Sequence, residues 1–419
     1  MTDENKETAT TQTSKGPIFG TTVTVEFAEE KLKEYFKTNS VFGPNFKIVR
    51  VGVGQGFMSV VARIWPDWKP ENKNLPNTLI AKISSMATAD QVINDKRYIE
   101  KGGIFGDQSS VLDKMQKTLS RAHNSEVDFY NSAKQYGFQI RIPEVYFAEP
   151  YSENCKQGYL LMQDLGEDAF VIPQYQRTTI EEAKQVVKQI AVFHSYSLQH
   201  PELLSIGKLA FHELIKELGD SEEMLTSTVE MFKKSTNAKV RTACEELSKE
   251  LSNVLDAQFL STLNEECGLP LILTHGDLWS SNIIWKYEDN NRKLAGIVDW
   301  QIIHKGCAAD DLLRYFASAL SPADRRQHFD ELLQYYYEEV ERSFGSPLPF
   351  TVSQLKKSMI RSLPFSMVLV LVAFGPLSTV QIEEKYPNKK EEYMKNCEEN
   401  VLGIIEDVLY YTKLNSQSS

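Results

Sequence analysis

The chain has 419 residues, 42% of them hydrophobic, and carries a net charge of −11 from 46 basic and 57 acidic side chains. That is more chain than one ordinary core absorbs, so two lobes are expected, and the composition excludes the disordered and fibrous classes. An acidic balance without a long basic run argues against nucleic acid as a partner.

Residues 1–17 are polar, lack the apolar stretch of a secretory signal, and read as a disordered tail. Strand-like text starts with Phe46-Lys-Ile-Val-Arg-Val, continues with Ser59-Val-Val-Ala-Arg-Ile-Trp, and returns in Thr78-Leu-Ile-Ala-Lys-Ile. Between the last two, Pro66 to Asn77 holds three prolines and reads as an exposed hairpin loop. Helical spacing follows over about 108–136, then two short strands at Val145–Ala148 and Tyr159–Met162. Strands interrupted by one helix predict a small α+β lobe that ends near residues 163–168.

Beyond that point the periodicity is mostly helical: Ile180 to Ser197, then about 208–220, 222–235 and 237–258. Strands recur only between Leu271 and Trp300, and helices continue to about Leu414. The longest apolar run, Met367 to Phe374, lies between Pro364 and Pro376 and is far too short to span a bilayer, so it is expected to be a buried helix. Five scattered cysteines (Cys155, Cys244, Cys267, Cys307, Cys397) form no CxxC pair. A disulfide framework or structural zinc is not expected, and a soluble cytoplasmic protein is.

The sharpest chemical signal is His275-Gly-Asp277-Leu-Trp-Ser-Ser-Asn282, an H-x-D-x4-N pattern, followed by Ile297-Val-Asp299-Trp-Gln. A polar turn, Lys286 to Lys293, joins Ile283–Trp285 to Leu294–Val298 as a hairpin that brings Asn282 near Asp299. Phosphoryl transfer needs such a set: one carboxylate to hold the acceptor hydroxyl and take its proton, and oxygen ligands to fix Mg²⁺ on the phosphates. Asp277 suits the first role, Asn282 and Asp299 the second, and His275 props the loop by hydrogen bonding. The competing reading is that Asp277 and Asn282 only cap turns.

HGDLWSSN with IVDWQ resembles the choline-kinase-like (CHK) branch of the protein-kinase-like superfamily, which includes aminoglycoside phosphotransferases. Within it, the tryptophan after HGDL and the DWQ in place of DFG most resemble the ecdysteroid-kinase-like proteins. The similarity covers about residues 45–410. It implies an α+β, two-lobed protein-kinase-like fold: a nucleotide-binding lobe over 18–164 and a helical catalytic and acceptor-binding lobe over 165–419. It implies ATP with Mg²⁺ as cofactors and a small molecule as acceptor. For the nucleotide, Gly52-Val-Gly54-Gln-Gly56-Phe-Met-Ser59-Val-Val61 supplies Gly54 and Gly56, with Ser59 in place of a third glycine. Lys82 matches the strand lysine that meets the phosphates. Glu126, with Asp128 as competitor, matches the helix glutamate that holds it. The backbone of Gln163 and Leu165 falls where the family meets adenine. His194 matches a structural helix position, and Asp311 would cap the next helix and brace the catalytic loop. His304 and Cys307 fit the wall of the site. For Trp279 and Trp300, pocket lining and core packing stay equally open.

Two departures from protein kinases narrow the substrate. No arginine precedes Asp277, and only eleven residues separate Asp299 from Asp311, with no APE-like sequence. A peptide-docking activation loop does not fit there. The long helical remainder would instead build a pocket over a small alcohol or amine. The reading from another class is a catalytically silent kinase-like protein that binds a ligand or partner. A true protein kinase is a third.

Overall fold

A computed structural model describes residues 11–52, 58–86, 108–208 and 221–417. Strict alternation along the first strands sets the N-terminal architecture. β1 (Thr11–Gln12), β2 (Lys47–Val51), β3 (Ser59–Trp65), β4 (Leu79–Ser84), β5 (Val145–Glu149) and β6 (Tyr159–Gln163) form one antiparallel sheet, in the order β1-β2-β3-β4-β6-β5. Leu79, Ala81 and Ile83 of β4 point to one face, where Ile48, Ala62, Ile64 and Leu161 complete a core with Val25, Ala28 and Leu32 of α1 (Val25–Phe36). Ile80 and Lys82 therefore point to the other face, towards α2 (Gln108–Tyr136), because successive side chains of a strand alternate.

Three N-terminal expectations change. The tail expected over 1–17 is engaged from Thr11, which pairs with Val49, and Pro17 bridges to Thr24. Helix α1 was not anticipated, although its signal is in the sequence: Thr24 accepts from Phe27 N at the N-cap, and Val25, Ala28 and Leu32 recur at helical spacing. The loop of residues 66–77 is not simply exposed. Its two large apolar side chains, Trp68 and Leu75, are buried on the N-terminal core, and Val41 and Lys69 exchange backbone hydrogen bonds of 2.8 Å.

The remaining chain is largely helical. α3 (Ile180–Gln199) opens with a Thr179–Glu182 capping box and is followed by α4 (Ser221–Phe232), α5 (Ala238–Val254) and α6 (Leu263–Cys267), and it packs along α8 (Pro322–Phe344). α7 (Ala308–Ala319), α9 (Val352–Val368), α10 (Pro376–Lys385) and α11 (Lys390–Gln417) complete this lobe. The helix expected near 208–220 lies almost wholly outside the described residues. The run Met367–Phe374 is the end of α9 and a 3-10 segment, Leu369–Phe374. The stretch Val352–Lys385 is apolar and long enough to cross a membrane, but 88% of its apolar window is buried inside the fold, as for a core helix.

Small sheets place the loops. β8 (Ile272–Thr274) pairs with β11 (His304–Gly306), and β10 (Asn291–Ile297) pairs with β9 (Ile283–Glu288), which pairs with β7 (Phe170–Val171). The β9–β10 turn is Asp289-Asn290, both with positive φ (49° and 62°), the geometry a two-residue hairpin requires. A β-rich lobe and a helical lobe joined near residues 163–166 make up an α+β, two-lobed fold.

Candidate active site

The β9–β10 hairpin closes the distance that the sequence leaves open. Ile283 pairs with Ile297, and Val298 donates its N–H to Asn282 O at 3.0 Å, so Asn282 and the strand leading to Asp299 leave the hairpin side by side. Asn282 is buried and turns its amide nitrogen to Asp277, reaching the backbone O at 2.9 Å and Oδ2 at 3.2 Å. Its amide oxygen is thereby left as an acceptor. Asp299 adopts φ +69°, a conformation uncommon for a residue with a side chain.

Across the site, Lys82 Nζ lies 2.7 Å from Glu126 Oε2 and 2.5 Å from Asp299 Oδ1. Burial alone would pull the ammonium's pKa down. The two carboxylates outweigh it and hold the pKa raised. Burial holds the Glu126 carboxyl above the usual range even with Lys82 beside it. Asp128, the competitor, faces outward and pairs with Lys208. Ser59 opens β3 opposite Ser84 of β4. Gly54 and Gly56 lie outside the described residues. Gln163 closes β6 opposite Leu79, and the Leu165 side chain lies over Gly296 of β10, so close that a Cβ there would meet it at 2.7 Å.

The loop from His275 to Asn282 is braced from beneath. Asp311 is fully buried and accepts from His275 N and Gly276 N, both at 2.8 Å, and from the ring of His194 at 3.0 Å. Burial pushes its pKa up, but the hydrogen bond and charge of His194 and the His275 contacts overcome this and hold it lowered. The helix cap itself belongs to its neighbour: Asp310 Oδ2 accepts from Cys307 N at 3.0 Å, which corrects the cap expected of Asp311. His275 Nδ1 accepts from Asp277 N at 3.2 Å, so its Nε2 carries the proton and donates to Val298 O at 3.1 Å. Burial pushes the pKa of this imidazole down and favours the neutral form that these bonds need.

Gly276 has φ +79°, and a Cβ there would lie 2.3 Å from Ile302 O. The arginine that protein kinases carry before the aspartate has no room. Trp300 is core, not pocket lining: it is fully buried and stacks on Phe129 with ring centroids 3.9 Å apart. Trp279 is half-buried, with the Arg314 guanidinium 6.0 Å from its ring. His304 and Cys307 are both buried, His304 close to Asp310 at 3.4 Å. Ser281, inside the loop, lies 3.5 Å from Gln174, which donates to Ala373 O, so the C-terminal helices border the loop.

Sequence reasoning missed two groups. Arg314 of α7 lies 2.8 Å from Asp277 Oδ1. Arg63 of β3 lies 2.7 Å from Asp164 Oδ2 and donates to Gly166 O at 2.9 Å, fastening the sheet to the linker between the lobes. The signal for Arg63 was the alternation of Val61, Arg63 and Trp65 on one face of β3. Arg314 carried none, since a helical arginine is ordinarily solvated.

The donor set can be tested against Mg²⁺. Asn282 Oδ1 and the Asp299 carboxylate are hard oxygen donors, and among the described residues no three His, Cys, Asp or Glu side chains gather as a cage. Few protein oxygens, with phosphate and water completing the shell, is the set Mg²⁺ takes, so the residues fit.

The family model described as "DUF1679: Uncharacterized oxidoreductase dhs-27" matches residues 10–416. Among curated proteins, the uncharacterized oxidoreductase dhs-27 of Caenorhabditis elegans is 25% identical over 269 residues, which is 60% of this chain and 32% of that protein. An uncharacterized kinase-like protein of the same organism is 25% identical over 247 residues, 59% of this chain and 64% of that protein. The chain thus spans about a third of the first relative and under two thirds of the second. Among solved structures, a microcompartment-associated aminopropanol kinase aligns with TM-score 0.47 and 12% identity, covering 93% of this chain and 99% of its own. The ethanolamine kinase of Plasmodium vivax aligns with TM-score 0.39 and 14% identity, covering 88% of each chain.

Proposed function

We propose, from the premise that the chain belongs to the DUF1679 family, a family associated with ecdysteroid-kinase-like proteins, that it is a Mg·ATP-dependent phosphotransferase acting on a hydroxyl or amine of a small molecule. The observation that carries this reading is the convergence of three distant segments. Lys82 reaches both Glu126 and Asp299, while Asn282 reaches Asp277 from the foot of the hairpin that ends at Asp299.

In this reading Asp277 orients the acceptor hydroxyl and takes its proton as the acceptor O–P bond forms, while the bond from the terminal phosphorus to the β–γ bridging oxygen breaks and ADP leaves. Asn282 fixes the Asp277 carboxylate. Lys82, positioned by Glu126, would meet the phosphates of ATP. Asn282 Oδ1 and Asp299 would hold Mg²⁺, which when bound neutralises phosphate charge. The backbone at Gln163 and Leu165 would border the adenine, and Ser59 would help hold the phosphates, the role that the resemblance also gives to Gly54 and Gly56. A steroid-like or choline-like alcohol fits the acceptor class, and we read the protein as soluble and cytoplasmic. The oxidoreductase in the relative's name is not carried over. The match covers a third of that protein, and every paired strand among the described residues is antiparallel, unlike a parallel dinucleotide-binding sheet.

The test is incubation of the full chain with Mg·ATP and a small-molecule extract, following ADP and masses increased by one phosphate, beside Asp277→Ala. A phosphorylated product absent with the variant supports the reading. Stabilisation by Mg·ATP without turnover would favour a silent nucleotide binder, and no response to Mg·ATP would overturn the nucleotide site.

A further inference from the structure

One face of α7 follows the catalytic loop residue by residue. Asp311, Arg314 and Ser318 stand at i, i+3 and i+7, so they share a side of the helix. In the same order they take His275 and Gly276 by their backbone N–H groups, Asp277 by its carboxylate, and Ser280 by its N–H, which donates to Ser318 Oγ at 3.1 Å. The first and third contacts hold backbone. The middle one places a full positive charge on the carboxylate of the proposed acceptor-orienting residue.

The loop has no cation of its own: Leu278, Trp279, Ser280 and Ser281 fill the positions between Asp277 and Asn282. Lys82 is committed to Glu126 and Asp299. Arg314 is only partly exposed, at 19% of its side chain, and its Nε is a buried donor with no hydrogen-bond partner among the described residues. An anionic Asp277 facing the terminal phosphate of ATP would repel it.

We propose that Arg314 is the positioning cation of this site: it fixes the Asp277 carboxylate against Asn282 and cancels the charge that would otherwise oppose the terminal phosphate. The inference rests on the phosphotransferase reading above. It assigns to α7, through a salt bridge made only in the folded chain, a charge that the loop's own sequence omits. Because the terminal phosphate is the group concerned, the effect separates ATP from ADP, which a purely structural arginine would not do.

The experiment is calorimetric titration of the full chain with Mg·ATP and Mg·ADP, for wild type, Arg314→Met, Arg314→Lys, Asp277→Asn and the Arg314→Met/Asp277→Asn pair. Arg314→Met is expected to weaken Mg·ATP roughly tenfold and Mg·ADP little, with Arg314→Lys recovering most of the loss. Adding Asp277→Asn to Arg314→Met should restore Mg·ATP binding, since the unpaired carboxylate is then gone. Equal loss for both nucleotides, or a loss for Mg·ATP that persists with Asp277→Asn, overturns the inference. So does unchanged binding. Should Arg314→Met fail to fold, Arg314→Gln keeps a polar donor on a shorter side chain without the charge, and the same comparison decides. Failure of the wild type to bind Mg·ATP would instead sink the phosphotransferase reading and this inference with it.

Discussion

Lys82 Nζ stands 2.5 Å from Asp299 Oδ1, although 217 positions separate the two residues in the chain. The contact joins the β-rich lobe to the end of the β9–β10 hairpin, and Glu126 on the other side of the ammonium ties α2 into the same cluster.

Loss of either partner should therefore be felt first in nucleotide binding. Lys82→Met and Asp299→Asn are each expected to lower Mg·ATP affinity by roughly tenfold or more, by removing charge that the proposed function directs at the phosphates or the metal. Asp277→Ala should instead keep most of the affinity and lose turnover. Titration calorimetry beside a turnover assay separates the two patterns, and a variant of Lys82 that binds as wild type does would break the assignment.

Asp311→Asn should destabilise the fold by about 2–4 kcal/mol, because one fully buried carboxylate accepts from two backbone N–H groups and a histidine. An amide keeps one acceptor oxygen and presents a donor to the rest. Urea denaturation measures the loss, and a midpoint equal to wild type would contradict the bracing role.

Gly276→Ala places a Cβ 2.3 Å from a backbone oxygen at φ +79°. The left-handed backbone alone costs about 1–3 kcal/mol, and Ile302 would have to move. The expected outcome is lower stability with disproportionate loss of turnover, since Asp277 is the next residue. Thermal melting and activity of the same preparation check it.

Acid should weaken the fold through two buried histidines. Burial lowers His123 from 6.5 to about 4 and lowers His275 as well. Their contribution is present above 6.5, where both states are neutral, and is lost as pH falls, because the unfolded chain takes up protons first. For His123 the loss reaches about 3 kcal/mol near pH 4. His304 acts in the opposite sense: burial pulls it down, but Asp310 outweighs this and raises it. Its contribution is present below 6.5 and lost as pH rises through its folded value. Urea midpoints across pH 7 to 4 should fall for wild type and fall less for His123→Gln.

Arg63→Ala should cost about 2–4 kcal/mol, as Asp164 is almost fully buried and would lose its ion pair. If the Arg63–Asp164 pair also fixes the angle between the lobes, nucleotide affinity will drop with it. Denaturation and titration of one variant report both.

What the sequence determined by itself was local. Strand-like runs at 59–65 and 78–83, helical spacing over about 108–136 and 180–197, and the H-x-D-x4-N and DWQ patterns announced the elements and named Asp277, Asn282 and Asp299, because these signals are short in range. Lys82 and Glu126 came instead from the family resemblance those motifs carry. The tertiary structure decided which charges meet. Asp128 and Glu126 share one helix, and only the packing of α2 on the sheet turns Glu126 to Lys82 and leaves Asp128 to Lys208. Trp300 became core because Phe129 stacks on it, and Trp279 did not. Arg314 and Arg63 owe their roles to partners far away in the chain, at Asp277 and Asp164. A charged side chain's role is set by the partner that desolvates with it, and that partner is chosen by the fold.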